Sequence, residues 1–146
     1  MSPQTRLCRF VPFLAFVALV AVACGTRKSP TEPVENPPDP SATFARVQAQ
    51  VLTPSCALSG CHAGPAPQRG LDLTAGKAYG QLVGVASAGS SRPRVAPGDV
   101  TGSYLVSKIR GDATIAGSRM PLGGPYLPTD LEQLVVDWVR RGAPND

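Results

Sequence analysis

Leu131, Leu134, Val135, Trp138 and Val139 recur at spacings of three and four residues, which places them on one face of a helix. Thr129-Asp130-Leu131-Glu132 reads as a capping box that starts this helix. Arg140 and Arg141 suit the negative end of its dipole, and Gly142 ends it. A second helical pattern lies upstream. Ser41, after Pro40, is placed to cap a helix with Phe44, Val47 and Val51 on one face, and Pro54 is placed to stop it just before Cys56. Two shorter helices are expected over residues 75–83 and 102–109, the latter turning Leu105, Val106 and Ile109 inward. Residues 85–98 and 111–128 are rich in Gly, Pro and Ser and read as loops. No alternating strand pattern and no internal repeat breaks this picture. The expected fold class is mostly α, small, with long Gly/Pro-rich loops.

The first part of the chain is not domain material. Arg6 and Arg9 precede an apolar run over residues 10–23 that is too short for a comfortable transmembrane helix. The run meets Ala21-Val22-Ala23-Cys24, which resembles a bacterial lipobox with Ala21 in place of the usual leucine. The expected organisation is a lipoprotein-type signal peptide over 1–23, a linker over 24–40 lipidated at Cys24, and one domain over 41–146. The linker is dense in proline from Thr26 onward and nearly free of apolar side chains, so it reads as an extended spacer. This layout implies export to a bacterial cell envelope, on the periplasmic side, with the membrane as a partner through the lipid.

The chain has 146 residues and a formal charge of +4. Arg6 and Arg9 would leave with the signal, so the mature protein is less basic. No basic run is interleaved with aromatics, which argues against a nucleic-acid partner. Four cysteines are present. Cys8 would leave with the signal and Cys24 would carry lipid, so Cys56 and Cys61 remain as a pair in an oxidising compartment.

Cys56-Ala-Leu-Ser-Gly-Cys61-His62 concentrates the chemistry. His62 is the only histidine, and Met120, within Arg119-Met120-Pro121, is the only methionine besides the initiator. Two thiols, an adjacent imidazole and one distant thioether are the parts of a covalently held haem with His62 and Met120 as axial ligands. The usual attachment signature is C-x-x-C-H; here four residues separate the cysteines. Pro121 keeps Met120 out of the helical region and stiffens its loop. Scarce aromatics, 5% of residues, fit a core completed by something other than side chains. Tyr104 and Trp138 are candidates to line a haem pocket or simply to pack the core. The Trp138 nitrogen would seek a propionate or a carbonyl. Arg92, Arg94 and Lys108 are candidates to neutralise propionates or to sit in solvent. Asp72 and Asp99 read as residues that order local turns.

Residues 56–64, Gly70-Leu-Asp-Leu73, Ala96-Pro-Gly-Asp99 with Ser103-Tyr-Leu-Val106, Arg119-Met-Pro121 and Asp137-Trp-Val-Arg-Arg-Gly-Ala143 come in an order that resembles planctomycete-type cytochrome c domains. The resemblance spans nearly all of residues 41–144 and departs from the pattern in its cysteine spacing. It implies a class-I-like monohaem cytochrome c fold. It also implies thioether bonds at Cys56 and Cys61, His62 as proximal ligand and Met120 as distal ligand. The expected function is one-electron transfer with transient redox partners, using one covalent haem c, rather than enzyme catalysis. Two alternatives stay open. One is a haem-free exported lipoprotein module with a Cys56–Cys61 disulfide. The other is a five-coordinate haem sensor or peroxidase-like enzyme. A blue-copper site is disfavoured, because it needs two histidines.

Overall fold

The structure is a computed structural model that describes residues 36–146. Residues Asn36–Asp146 form a compact unit. The expected signal segment, the lipidated Cys24 and most of the linker lie outside the described residues. The unit is small and partly helical. Among the described residues there is no strand, only isolated bridges such as Val83 with Val95 and Ala86 with Pro93. None of its helices is long and apolar enough to cross a membrane.

The first helical stretch is continuous but not uniform. It runs as α1 (Phe44–Val47), a π turn (Gln48–Leu52) and α2 (Thr53–Ser55). Its cap is Thr43, not the expected Ser41: the Thr43 hydroxyl accepts the N–H of Arg46 at 3.2 Å. Ser41 instead donates to the carboxylate of Asp39. The next free N–H groups are taken by the far end of the chain. Phe44 donates to the Asp146 carboxylate and Ala45 to the Asp146 carbonyl, both at 2.9 Å. The helix ends at Ser55, just before Cys56 as expected, with Pro54 inside its last turn. A proline there has no N–H and crowds the carbonyl four residues back. The π turn just ahead, with Thr53 donating to the Gln48 carbonyl, widens the backbone where that crowding would occur.

A 3-10 turn (Gln68–Gly70) leads to α3 (Ala78–Leu82), shorter than the expected 75–83. Residues before it are occupied by a turn in which Thr74 N–H and hydroxyl both donate to Asp72. Helix α4 (Tyr104–Arg110) buries Tyr104, Val106, Ser107 and Ile109, with Leu105 partly buried. The Ser103 hydroxyl ties its start to the 96–99 turn, accepting from Ala96 N–H and donating to the Asp99 carbonyl at 2.7 Å.

Helix α5 (Thr129–Arg140) packs on α1 and α4. Its expected capping box does not form. Thr129 is already the first helical residue, its cap position is Pro128, and no side chain bonds the first N–H groups. Glu132 pairs with Arg119 instead. The other end matches expectation. Gly142 donates to Val139 and Ala143 to Trp138, closing a Schellman motif around Gly142 at φ +93.

Trp138 is fully buried and anchors the core. Its ring lies 5.4 Å from that of Phe44, and Phe44 meets Tyr79 edge-on at 5.1 Å. The Trp138 nitrogen donates to the Pro144 carbonyl at 2.9 Å, and Tyr79 hydroxyl to Ala143 at 3.0 Å. These two bonds satisfy the polar ends of large aromatic rings that would otherwise be costly to bury.

Candidate functional site

Cys56 follows the last helical turn, and its N–H still bonds the Leu52 carbonyl at 3.0 Å. The helix end therefore fixes the first thiol. The chain then makes a turn in which Cys61 N–H donates to Leu58 at 2.9 Å. Gly60, third in that turn, has φ +80, which an L side chain resists. The next N–H, of His62, reaches back to the Cys56 carbonyl at 3.1 Å. The loop closes on itself, and the extra residues of the motif are taken up in the turn.

The His62 ring is held by a second contact. Its Nδ1 lies 3.1 Å from the Leu71 carbonyl oxygen. A carbonyl only accepts, so Nδ1 is the donor in this bond, and a neutral ring then carries its lone pair on Nε2. The backbone also pairs here, with Leu73 N–H donating to the His62 carbonyl at 2.8 Å. Residues 71–73 are clamped from two sides. The Gln48 amide, from the π turn, donates to the Leu73 carbonyl at 3.1 Å. Gln81, from α3, accepts the Asp72 N–H at 2.7 Å. The sequence flagged neither glutamine, and Leu71 only as part of the Gly70–Leu73 motif, since two distant amides leave no local signature.

Asp72 is buried within this clamp and bonds Lys77 at 2.7 Å and Thr74 at 2.6 and 3.0 Å. The Lys77 ammonium, then the Thr74 donors, hold its carboxyl down at about 2, well below the usual range.

The two cysteines are free thiols, Cys56 half-buried and Cys61 exposed. Burial first, and the neighbouring Cys61 second, push the Cys56 thiol up to about 11. Near neutral pH it is therefore almost entirely protonated. Leu58, between them, leaves 46% of its surface exposed.

Met120 belongs to a second cluster. Its N–H donates to the Lys108 carbonyl at 2.9 Å, on the last turn of α4. The Lys108 ammonium bonds the carbonyls of Ala116 and Ser118, and Ala116 N–H donates to the Tyr104 hydroxyl at 2.9 Å. Met120 is half-buried, and Leu122 beside it is 70% exposed. The two clusters hang on one core, which includes Leu52 and Leu73 on the His62 side and Ile109 and Leu127 on the Met120 side.

The other candidates are committed elsewhere. Arg92 donates to the Thr101 carbonyl at 2.8 Å and to Ser107 at 3.0 Å, and lies over the Tyr104 ring. Arg94 donates to the Gln81 carbonyl at 2.8 Å. Tyr104 and Trp138 are packed and hydrogen-bonded to protein groups. Asp99 accepts from Gly102 N–H and Thr101 hydroxyl, both at 2.8 Å, within its own turn.

Among the described residues no three His, Cys, Asp or Glu side chains converge on one point. The group expected from the sequence is a haem, which brings its own ligand frame to the iron. The donor set fits such a group: an imidazole with a free Nε2, two thiols on one short loop and a half-buried thioether. No protein-family model, no curated protein and no solved structure matches the chain.

Proposed function

We propose that this protein is a monohaem c-type cytochrome that transfers single electrons at a bacterial cell envelope. The observation that carries the reading is the His62 Nδ1 contact with the Leu71 carbonyl, which in a neutral ring leaves Nε2 to serve as the ligand.

The bound haem supplies a one-electron iron couple. The residues do the rest. Cys56 and Cys61 provide the sulfurs for two thioether bonds, and the closed loop between them holds their spacing. The Leu71 hydrogen bond keeps the His62 ring oriented. Met120 offers a soft thioether that favours the reduced state, which raises the potential. With His62 and Met120 both holding the haem, no site would be open for a substrate, so the reading is electron transfer rather than enzyme catalysis. Helix α1 packed on α5, with the cysteine motif after the first helical stretch and Met120 before the last helix, supports a class-I-like cytochrome c fold.

Partners in this reading are redox proteins that dock transiently over small areas. A lipid on Cys24 and a spacer over 24–40 would tether the domain to a membrane on the periplasmic side. Nucleic acid has no part in it.

A spectroelectrochemical titration of the full chain, exported by a host with cytochrome c maturation machinery, tests this function. The expected result is one reversible single-electron wave with a low-spin spectrum in both states. A high-spin ferric form that binds cyanide or peroxide readily would point to the five-coordinate alternative.

A further inference from the structure

Residues 111–128 carry Met120 without a helix or strand of their own. A loop of that length needs fixed points if one side chain is to hold a defined place. The residue next to Met120 supplies most of them. Arg119 Nε donates to the Ile109 carbonyl at 2.7 Å, and its Nη2 pairs with Glu132 in the first turn of α5. Its guanidinium carbon lies 4.2 Å from the centre of the Tyr126 ring, beyond Met120 in the same loop. Its stem rests on Gly111, where a Cβ would come within 2.8 Å of Arg119 Cδ.

Helix α4 leaves its last carbonyls without helical partners. Two of these, Lys108 and Ile109, are taken by Met120 N–H and Arg119 Nε. The ion pair with Glu132 is partly buried, with 29% and 19% of the side chains exposed, so solvent screens it less than a surface pair. A planar guanidinium can meet a carbonyl, a carboxylate and a ring face together; a lysine cannot.

We propose that Arg119 is the positioning residue for Met120, presenting its thioether to the iron by clamping the loop to Ile109, Glu132 and Tyr126. The inference rests on the haem reading above.

The test uses the full, haem-loaded chain and reads three quantities: the sulfur-to-ferric-iron absorption band, the reduction potential and the exchange rate of the Met120 amide. Arg141→Ala serves as comparison, because Arg141 makes a similar clamp at the other end of α5, to the Ala42 carbonyl and Asp146. Arg119→Ala is expected to lose most of the band, to lower the potential and to speed Met120 amide exchange by about 10- to 100-fold. Arg119→Lys should not restore the band. Arg141→Ala should lower the unfolding midpoint and leave band and potential unchanged. If Arg119→Ala does not fold, Glu132→Gln carries the test, since it weakens the ion pair and keeps the arginine stem on Gly111; a partial loss of the band is expected. An unchanged band and potential in the folded Arg119→Ala or Glu132→Gln chain overturns the inference alone. A parent chain without haem overturns the haem reading and the inference with it, so the parent spectrum separates the two failures.

Discussion

The N–H of His62 donates to the carbonyl oxygen of Cys56 at 3.1 Å, joining the two ends of the cysteine motif. This bond brings the backbone of His62 back to that of Cys56 although four residues separate the cysteines. The wider spacing is folded away in the Leu58–Cys61 turn. That turn depends on Gly60 at φ +80. A Cβ there meets nothing within 4 Å, so the penalty of a substitution is conformational and not steric. Gly60→Ala should cost about 1–2 kcal/mol. It should also lower the yield of haem-loaded protein, measured as haem per chain after export. An unchanged yield and midpoint would remove this turn from the account.

Met120→Ala should leave the fold standing, because Met120 is only half-buried and its N–H bond to Lys108 does not need its side chain. Its spectrum should change from low-spin to high-spin or water-bound, with loss of the sulfur-to-iron band. A spectrum identical to the parent would mean that Met120 is not a ligand.

Asp72 gives the fold a defined acid response. Its carboxyl is held at about 2 by Lys77 and Thr74, below the unfolded value of about 4. A depressed folded pKa contributes stability that is present above about pH 4 and is lost as pH falls toward about 2. Asp72→Asn should therefore be less stable than the parent near neutral pH, and the gap should close across that window. Denaturation midpoints at several pH values check this. A gap that stays constant down to low pH would contradict the assigned interaction.

Trp138 packs on Phe44 and hydrogen-bonds Pro144, with no surface exposed. Trp138→Ala should cost about 3–5 kcal/mol, a large share of the ~5–15 kcal/mol that holds a typical domain together. Trp138→Phe should cost less, keeping the ring contact while leaving the Pro144 carbonyl without its donor. Urea midpoints of the two variants should rank in that order. Equal midpoints would mean that the indole bond, not ring volume, carries the loss.

The parts of this fold that were legible in the sequence are those set by local period and local turn chemistry. Leu134, Val135, Trp138 and Val139 mark α5 and are buried; Leu131, on the same predicted face, is only half-buried, while Val136 and Asp137, off that face, are buried as well. Gly142 marks its end because a left-handed residue is needed there. The misreadings trace to long-range partners. Glu132 looked like half of a capping box, yet Arg119, from a distant loop, takes its carboxylate. Ser41 reads as the cap of the first helix, yet Thr43 caps it, where Asp146, from the other end of the domain, supplies two more acceptors. Pro54 reads locally as a stop, and the helix does end one residue later, at Ser55, with the π turn ahead making room for the proline ring. At the site, Cys56, Cys61, His62 and Met120 are visible as residue types at suggestive spacing. Their supports are Leu71, Gln48, Gln81 and Arg119. Those contacts run between segments, and no local pattern encodes them.

Covalent haem on the chain is the central claim, and a haem-stained denaturing gel with a pyridine haemochrome spectrum tests it most directly. The full chain would be exported by a host with cytochrome c maturation machinery, beside a Cys56→Ser, Cys61→Ser double variant. The account predicts haem that stays with the denatured parent chain, a spectrum of two saturated thioether links, and no stain on the double variant. A folded, colourless parent with Cys56 and Cys61 joined in a disulfide would contradict it.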